Sequence, residues 1–195
     1  MKIKKYILGI GGHIGSGKTT AGNFFEKLGA YFIDADDVVE GLYQKGEDGY
    51  RKILSFFGEE YLTSSGELNR KKLAKAVFGD PKKLRILHDL VHPLVTSKIQ
   101  RMVDKSNEQY IVVEATYFEK KHLQSLVDAI LWIDCPKNVL FERLHKDRKL
   151  ERALFEKILR IQIKPSVIDF AVDNSGSKKD FEQSLRLVWD KIRKG

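Results

Sequence analysis

The chain has 195 residues, 42% hydrophobic and 32% charged, which suits one globular domain with small insertions, burying about 70% of its extended-chain surface. Its apolar runs are all far shorter than the roughly 20 residues of a membrane-spanning helix, and a lone cysteine, Cys135, excludes an internal disulfide and fits a reducing cytoplasm. The formal charge of +8 is concentrated, with nine basic residues against four acidic ones between Lys137 and Lys164, a balance that suits polyphosphate ligands as well as nucleic acid.

The basic stretch Met1 to Lys5 runs directly into Tyr6–Ile10, a short apolar run suited to a buried strand, so it is expected to be structure and not a cleaved leader. Gly12 to Thr19 then reads GHIGSGKT, the spacing of a phosphate-binding loop. Gly15 and Gly17 leave room for backbone N–H groups to turn inward, and the helix that follows adds its positive end. Lys18 can reach the outer phosphates of a nucleoside triphosphate, and the Thr19 hydroxyl can ligate Mg²⁺. Thr20 to Leu28 places Phe24, Phe25 and Leu28 on one helical face. The expected phosphate-binding set is Gly12, His13, Ile14, Gly15, Ser16, Gly17, Lys18, Thr19 and Thr20. His13 occupies a freely variable position and is expected to be exposed.

Four further apolar runs predict buried parallel strands: Tyr31–Ile33, Tyr110–Val113, Ala129–Ile133 and Phe170–Val172. Five strands alternating with helices predict an α/β fold of the P-loop NTPase kind, its parallel sheet covered on both faces and its ligands at the carboxyl ends of the strands. Residues 38–105 are too long for one crossover helix and hold several helical patterns, with Asn69 capping the one that contains Leu73 and Val77. The basic segment predicts two helices over the loop. A last helix, Lys178 to Arg193, follows Ser177 as N-cap.

Phosphoryl transfer needs a carboxylate near the acceptor hydroxyl and groups that hold the metal. Asp34 and Asp36 follow the second strand, and both lie on one side if the chain is still extended there. Two carboxylates aimed at one spot repel unless a cation or a proton lies between them. Glu114 ends the third strand and stays open between a turn and a site role. Asp134 ends the fourth, where Cys135-Pro136 explains it as a turn residue. His92, before Pro93, reads as a packed residue, and no cluster has the spacing of a zinc site.

With GHIGSGKTT (Gly12–Thr20), FEKLGAYFIDADDV (Phe25–Val38), GELNRKKLAKAVF (Gly66–Phe78), His92-Pro93 and VDNSGS (Val172–Ser177), nearly the whole chain resembles the dephospho-CoA kinase family. The resemblance implies ATP and Mg²⁺ as cofactors and dephospho-CoA as acceptor. In it Asp36 is the base toward the ribose 3′-hydroxyl, Asp34 supports it or the metal, and Asn174 with Gly176 lies beside the adenine. Residues 1–37, 106–142 and 163–195 would form the nucleotide-binding core, 38–105 the helical acceptor-binding region and 143–162 the lid. The family places its second lid arginine four residues after the position of Arg143. Here that position is Asp147 and the arginine follows at Arg148, so both Arg143 and Arg148 are candidates for the transferred phosphate. Partners expected from this reading are small molecules only, with no nucleic acid or membrane, in a monomer or weak homo-oligomer. The alternatives are another P-loop small-molecule or nucleoside kinase, and a nucleotide switch or nucleic-acid-binding ATPase. The last two lack support, since no Asn-Lys-x-Asp motif occurs and few aromatics interleave the basic residues.

Overall fold

The computed structural model describes residues 4–116, 118 and 122–194; Met1–Ile3 of the basic start lie outside them. The chain forms two compact units, one comprising residues up to Asp34 and from Ser106 onward, the other Ala35–Lys105.

The first unit is built on a five-stranded sheet in the order β2-β3-β1-β4-β5. Its strands are β1 (Tyr6–Gly12), β2 (Tyr31–Asp34), β3 (Tyr110–Glu114), β4 (Ala129–Asp134) and β5 (Phe170–Asp173), all paired in parallel. They are the five apolar runs of the sequence. Ile111, Val112 and Val113 in β3 and Leu131 and Ile133 in β4 are fully buried, as strands covered on both faces require. Helix α1 (Lys18–Glu26) and the C-terminal helix over Lys178–Lys194 cover one face. Phe25 and Trp189 meet there at 5.6 Å between ring centroids, within a core that includes Leu8, Val112, Phe181 and Leu185. Because β1 lies between β3 and β4, the strand order reverses beside it, which opens a crevice at its carboxyl end.

Ala35–Lys105 is helical: α2 (Ala35–Leu42), α3 (Asp48–Phe57), α4 (Arg70–Phe78) and α5 (Pro81–Lys105). Asn69 caps α4 as expected, its side chain accepting from Lys72 N at 3.0 Å. Val91, Val95, Ile99 and Val103 recur every fourth residue of α5 and form its buried stripe. The unit begins at Ala35, ahead of the expected boundary at 38, because helix starts directly after β2. Asp36 and Asp37 in its first turn suit the positive end of the helix. That start also removes the extended stretch on which a shared side for Asp34 and Asp36 was predicted. Asp34 is the last residue of β2 and Asp36 belongs to the helical unit.

Between β4 and β5 lie the two expected helices, α6 (Lys137–Arg148) and α7 (Arg152–Ile161). They turn at Lys149, whose φ of 54° is left-handed. Leu140, Leu144, Phe155 and Leu159 give them a small core of their own, and Ile14 of the phosphate loop packs into it. Helix α8 (Lys178–Lys194) starts at Ser177, whose hydroxyl accepts from Asp180 N at 3.2 Å. Among the described residues no helix is long and apolar enough to cross a membrane.

Candidate active site

The loop between β1 and α1 is shaped by glycine. Gly15 and Gly17 have φ of 79° and 99°, a left-handed region that other residues enter at a cost. Gly17 is the N-cap of α1, and no side chain caps the helix, which leaves its first turn suited to an anion. Space is as restrictive as conformation. A Cβ on Gly17 would lie 2.5 Å from Asn174 Nδ2. That buried amide donates to Ser16 O at 2.7 Å and so ties the loop to the end of β5. Asn174 is fixed in turn, because Arg143 Nη2 donates to its carbonyl at 2.8 Å and the Cys135 thiol donates to the same oxygen at 3.4 Å.

Two side chains of the loop meet one carboxylate. Thr19 Oγ1 donates to Glu114 Oε1 at 3.2 Å, and Lys18 Nζ lies 4.0 Å from the same oxygen. Lys18 and Glu114 are both buried, at 8% and 6% exposure. The anionic partner at 4.0 Å sets the direction of the lysine before any phosphate arrives. Asp34 stands opposite Glu114 in the β2–β3 register. Hydroxyl and carboxylate oxygens are the hard donors Mg²⁺ prefers, and the ion keeps most of its remaining positions for water and phosphate. Thr19 and Glu114 therefore fit that ion, although the described residues hold no cluster of three or more His, Cys, Asp or Glu ligands.

Some of the residues expected around the nucleotide line one of two cavities, while Gly12, Ile14, Ser16, Lys18 and Thr19 line neither. One of about 450 Å³ is lined by Gly15, Gly17, Thr20, Asn174 and Gly176, with Arg143 and Arg148 from α6. Its size and mixed lining suit a nucleoside. Asn174 lines it, yet its amide nitrogen is engaged by the loop, a bracing role that the sequence reading did not anticipate. A second cavity, about 280 Å³, lies against His13, Lys137, Glu156, Leu159 and Arg160. His13 is half-buried rather than exposed, set edge-on to Trp132 at 5.5 Å. Burial, and after it the nearby Lys18 and Lys137 charges, hold its proton affinity below the ordinary histidine value, with Asp134 acting against them.

Asp134 is more than a turn residue. It accepts from Trp132 Nε1 at 2.9 Å, and Lys164 Nζ reaches its two oxygens at 3.0 and 3.1 Å. Gln162, at the end of α7, accepts from Ile14 N at 2.9 Å and fixes that helix to the loop. Neither Gln162 nor Lys164 carries a signal in the sequence, since each contact joins residues about 30 to 150 positions apart. Glu114 had one, its place at a strand end, though that feature is shared with Asp134 and does not by itself assign a site role. His92 stacks on His88 at 4.6 Å between centroids.

A parallel sheet with this strand order, a glycine loop at its switch point, and a buried lysine and an exposed threonine on one strand-end carboxylate define a P-loop kinase. The comparisons make the class specific. Residues 6–180 match the family model for dephospho-CoA kinase, and the chain belongs to that family. It is similar to a Mannheimia succiniciproducens dephospho-CoA kinase, 36% identical over 96% of this chain and 88% of that one. A solved dephospho-CoA kinase from Campylobacter jejuni superposes with a TM-score of 0.68 at 26% identity, covering 98% of both chains. A Thermus thermophilus structure shares the fold with a TM-score of 0.80 at 24% identity, covering 97% of this chain and 98% of that one.

The contact between Gly17 and Asn174 yields a direct test. Gly17→Ala forces a left-handed alanine, at about 1–2 kcal/mol, and pushes against the bracing amide. ATP affinity measured by calorimetry should fall about tenfold or more. Unchanged affinity would show that the loop has no need of this conformation.

Proposed function

We propose that this chain transfers the γ-phosphoryl group of ATP to the ribose 3′-hydroxyl of dephospho-CoA, giving coenzyme A and ADP. The observation that carries the reading is the braced loop whose Lys18 and Thr19 meet Glu114, in a chain that belongs to the dephospho-CoA kinase family. In the reaction the acceptor oxygen forms a bond to the γ-phosphorus. The β–γ bridging bond breaks with its electron pair on ADP, and the hydroxyl proton passes to a carboxylate. We assign that carboxylate to Asp36, on the match of the Ile33–Asp36 motif to the family pattern.

Lys18 stabilises charge on the outer phosphates, and its buried setting strengthens that effect. Thr19 and Glu114 would hold Mg²⁺ with Asp34 beside them, a broader set than the Thr19 and Asp34 expected from the sequence. When bound, the ion neutralises phosphate charge and orients the transferred group. Asn174 and Arg143 keep the cradle in shape, and Arg148 serves the nucleoside cavity it lines. The acceptor region is assigned to the helical unit Ala35–Lys105, whose GELNR…LAKAVF segment is specific to the resemblance.

The test is an assay of the purified protein with ATP, Mg²⁺ and a panel of dephospho-CoA, adenosine and nucleoside monophosphates. Phosphorylation of dephospho-CoA in preference to the others is the expected result. Turnover of another acceptor with none of dephospho-CoA would overturn the reading.

Two substitutions separate the carboxylates. Asp36→Asn keeps the shape and removes the proton acceptor, so kcat should fall by about 10²–10⁴ while ATP affinity stays near wild type. Glu114→Gln should instead raise the Mg²⁺ concentration needed for half-maximal rate. The roles are exchanged if Asp36→Asn shows the Mg²⁺ effect and Glu114→Gln the loss at saturating metal.

A further inference from the structure

Phosphoryl transfer spreads negative charge over the three equatorial oxygens, and an arginine that closes on them can contribute large rate gains. The lid segment from Lys137 to Lys164 holds four arginines, Arg143, Arg148, Arg152 and Arg160. The structure gives each a different situation. Arg143 directs Nη2 to Asn174 O at 2.8 Å and Nη1 to Cys135 Sγ at 3.6 Å, so its fork is occupied by the brace. Arg148 lines the nucleoside cavity, on the Gly17 and Asn174 side of the loop. Arg152 lies over the Phe141 ring, 4.7 Å from its centroid. Arg160 alone of the four lines the cavity that His13 of the phosphate loop also lines.

The position of Arg160 is fixed by its neighbours in α7. Leu159, immediately before it, is buried in the small core that Ile14 of the loop enters. Gln162, two residues later, accepts the Ile14 N–H at 2.9 Å. The helix is thus held to the loop on both sides of Arg160, which itself stays exposed. The common alternative for such a residue is a surface pair with the carboxylate one turn earlier, here Glu156. Among the described residues Arg160 forms no ion pair, with Glu156 or any other. Lys137 lines the same cavity, so two cationic side chains stand beside His13 of the phosphate loop.

From this arrangement we infer that Arg160, with Lys137 beside it, binds phosphate oxygens at the His13 side of the loop and is the lid arginine that touches the transferred phosphoryl group. The inference rests on the ATP-dependent kinase reading above. Arg160 forms and breaks no covalent bond. Its guanidinium donates to the equatorial oxygens while the acceptor oxygen adds to phosphorus and the bridging oxygen leaves with ADP, and an exposed side chain on a docked helix can reach them as the lid closes. The two phosphate-bearing substrates, ATP and the diphosphate-containing acceptor, could both supply anionic oxygens, and the test separates them.

Wild type, Arg160→Ala and Arg160→Lys are compared by steady-state kinetics and by calorimetric binding of ADP alone and of ADP with Mg²⁺ and aluminium fluoride. The expected result for Arg160→Ala is a fall in kcat of about 10²-fold or more, with both KM values and ADP affinity changed by only a few-fold. Affinity for the ADP–aluminium fluoride complex should fall with kcat, and Arg160→Lys, which keeps charge without the planar fork, should lie between. Wild-type kcat in Arg160→Ala overturns the inference. So does a defect confined to the KM for dephospho-CoA, which would make the cavity a site for the acceptor diphosphate. If ADP binding is lost with the fold in Arg160→Ala, the Arg160→Lys variant decides by the same criteria. Failure of the wild type to use dephospho-CoA would overturn the functional reading instead, and Arg160 is then judged on aluminium fluoride binding alone.

Discussion

A single hydrogen bond, from Asn174 Nδ2 to Ser16 O at 2.7 Å, ties the phosphate loop to the end of β5, and much of the site depends on it. The donor is buried, so losing its partner would leave a desolvated amide, at about 1–3 kcal/mol. The close approach requires a residue without a side chain at Gly17. It also calls for support behind Asn174, which Arg143 and Cys135 provide from α6 and the end of β4. Strands, loop and lid base are linked through this one residue. An arginine engaged in that linkage is a poor candidate to swing onto a transferred phosphate.

The opposite side of the loop is governed by charge. Lys18 and Thr19 meet Glu114 where β3 ends beside β1. A buried cation and anion lie 4.0 Å apart there, and each alone would be expensive to bury. The pair sets the direction of Lys18 ahead of substrate binding, which is the kind of preorganisation that lowers a transfer barrier. Helix α7 and the residues after it are attached separately, through Gln162 on Ile14 N and Lys164 on Asp134. The Lys164 pair is half exposed and contributes little to stability.

The fold was legible in the sequence wherever local patterns decide it. Five apolar runs became five strands, GHIGSGKT became the loop, and Asn69 and Ser177 capped the helices they precede. What could not be read locally were pairings between distant residues. Glu114 and Asp134 look alike as strand-end carboxylates. Strand order alone places Glu114 beside Lys18 and gives Asp134 to Trp132 and Lys164. The condition for a shared side of Asp34 and Asp36, an extended chain, is not met, because helix begins at Ala35. The VDNSGS motif singled out Asn174, but its bond to Ser16 spans 158 residues, beyond any local rule. The same limit hid Arg160, whose neighbours in sequence give no hint that α7 docks on Ile14.

The most direct measurement of the loop brace is calorimetric binding of ATP to Asn174→Ala, beside its thermal stability and its affinity for dephospho-CoA. If the Asn174–Ser16 bond shapes the phosphate cradle, ATP affinity should fall about tenfold, the scale of one buried hydrogen bond, while dephospho-CoA affinity stays near wild type. Wild-type ATP affinity in a folded Asn174→Ala protein would contradict it.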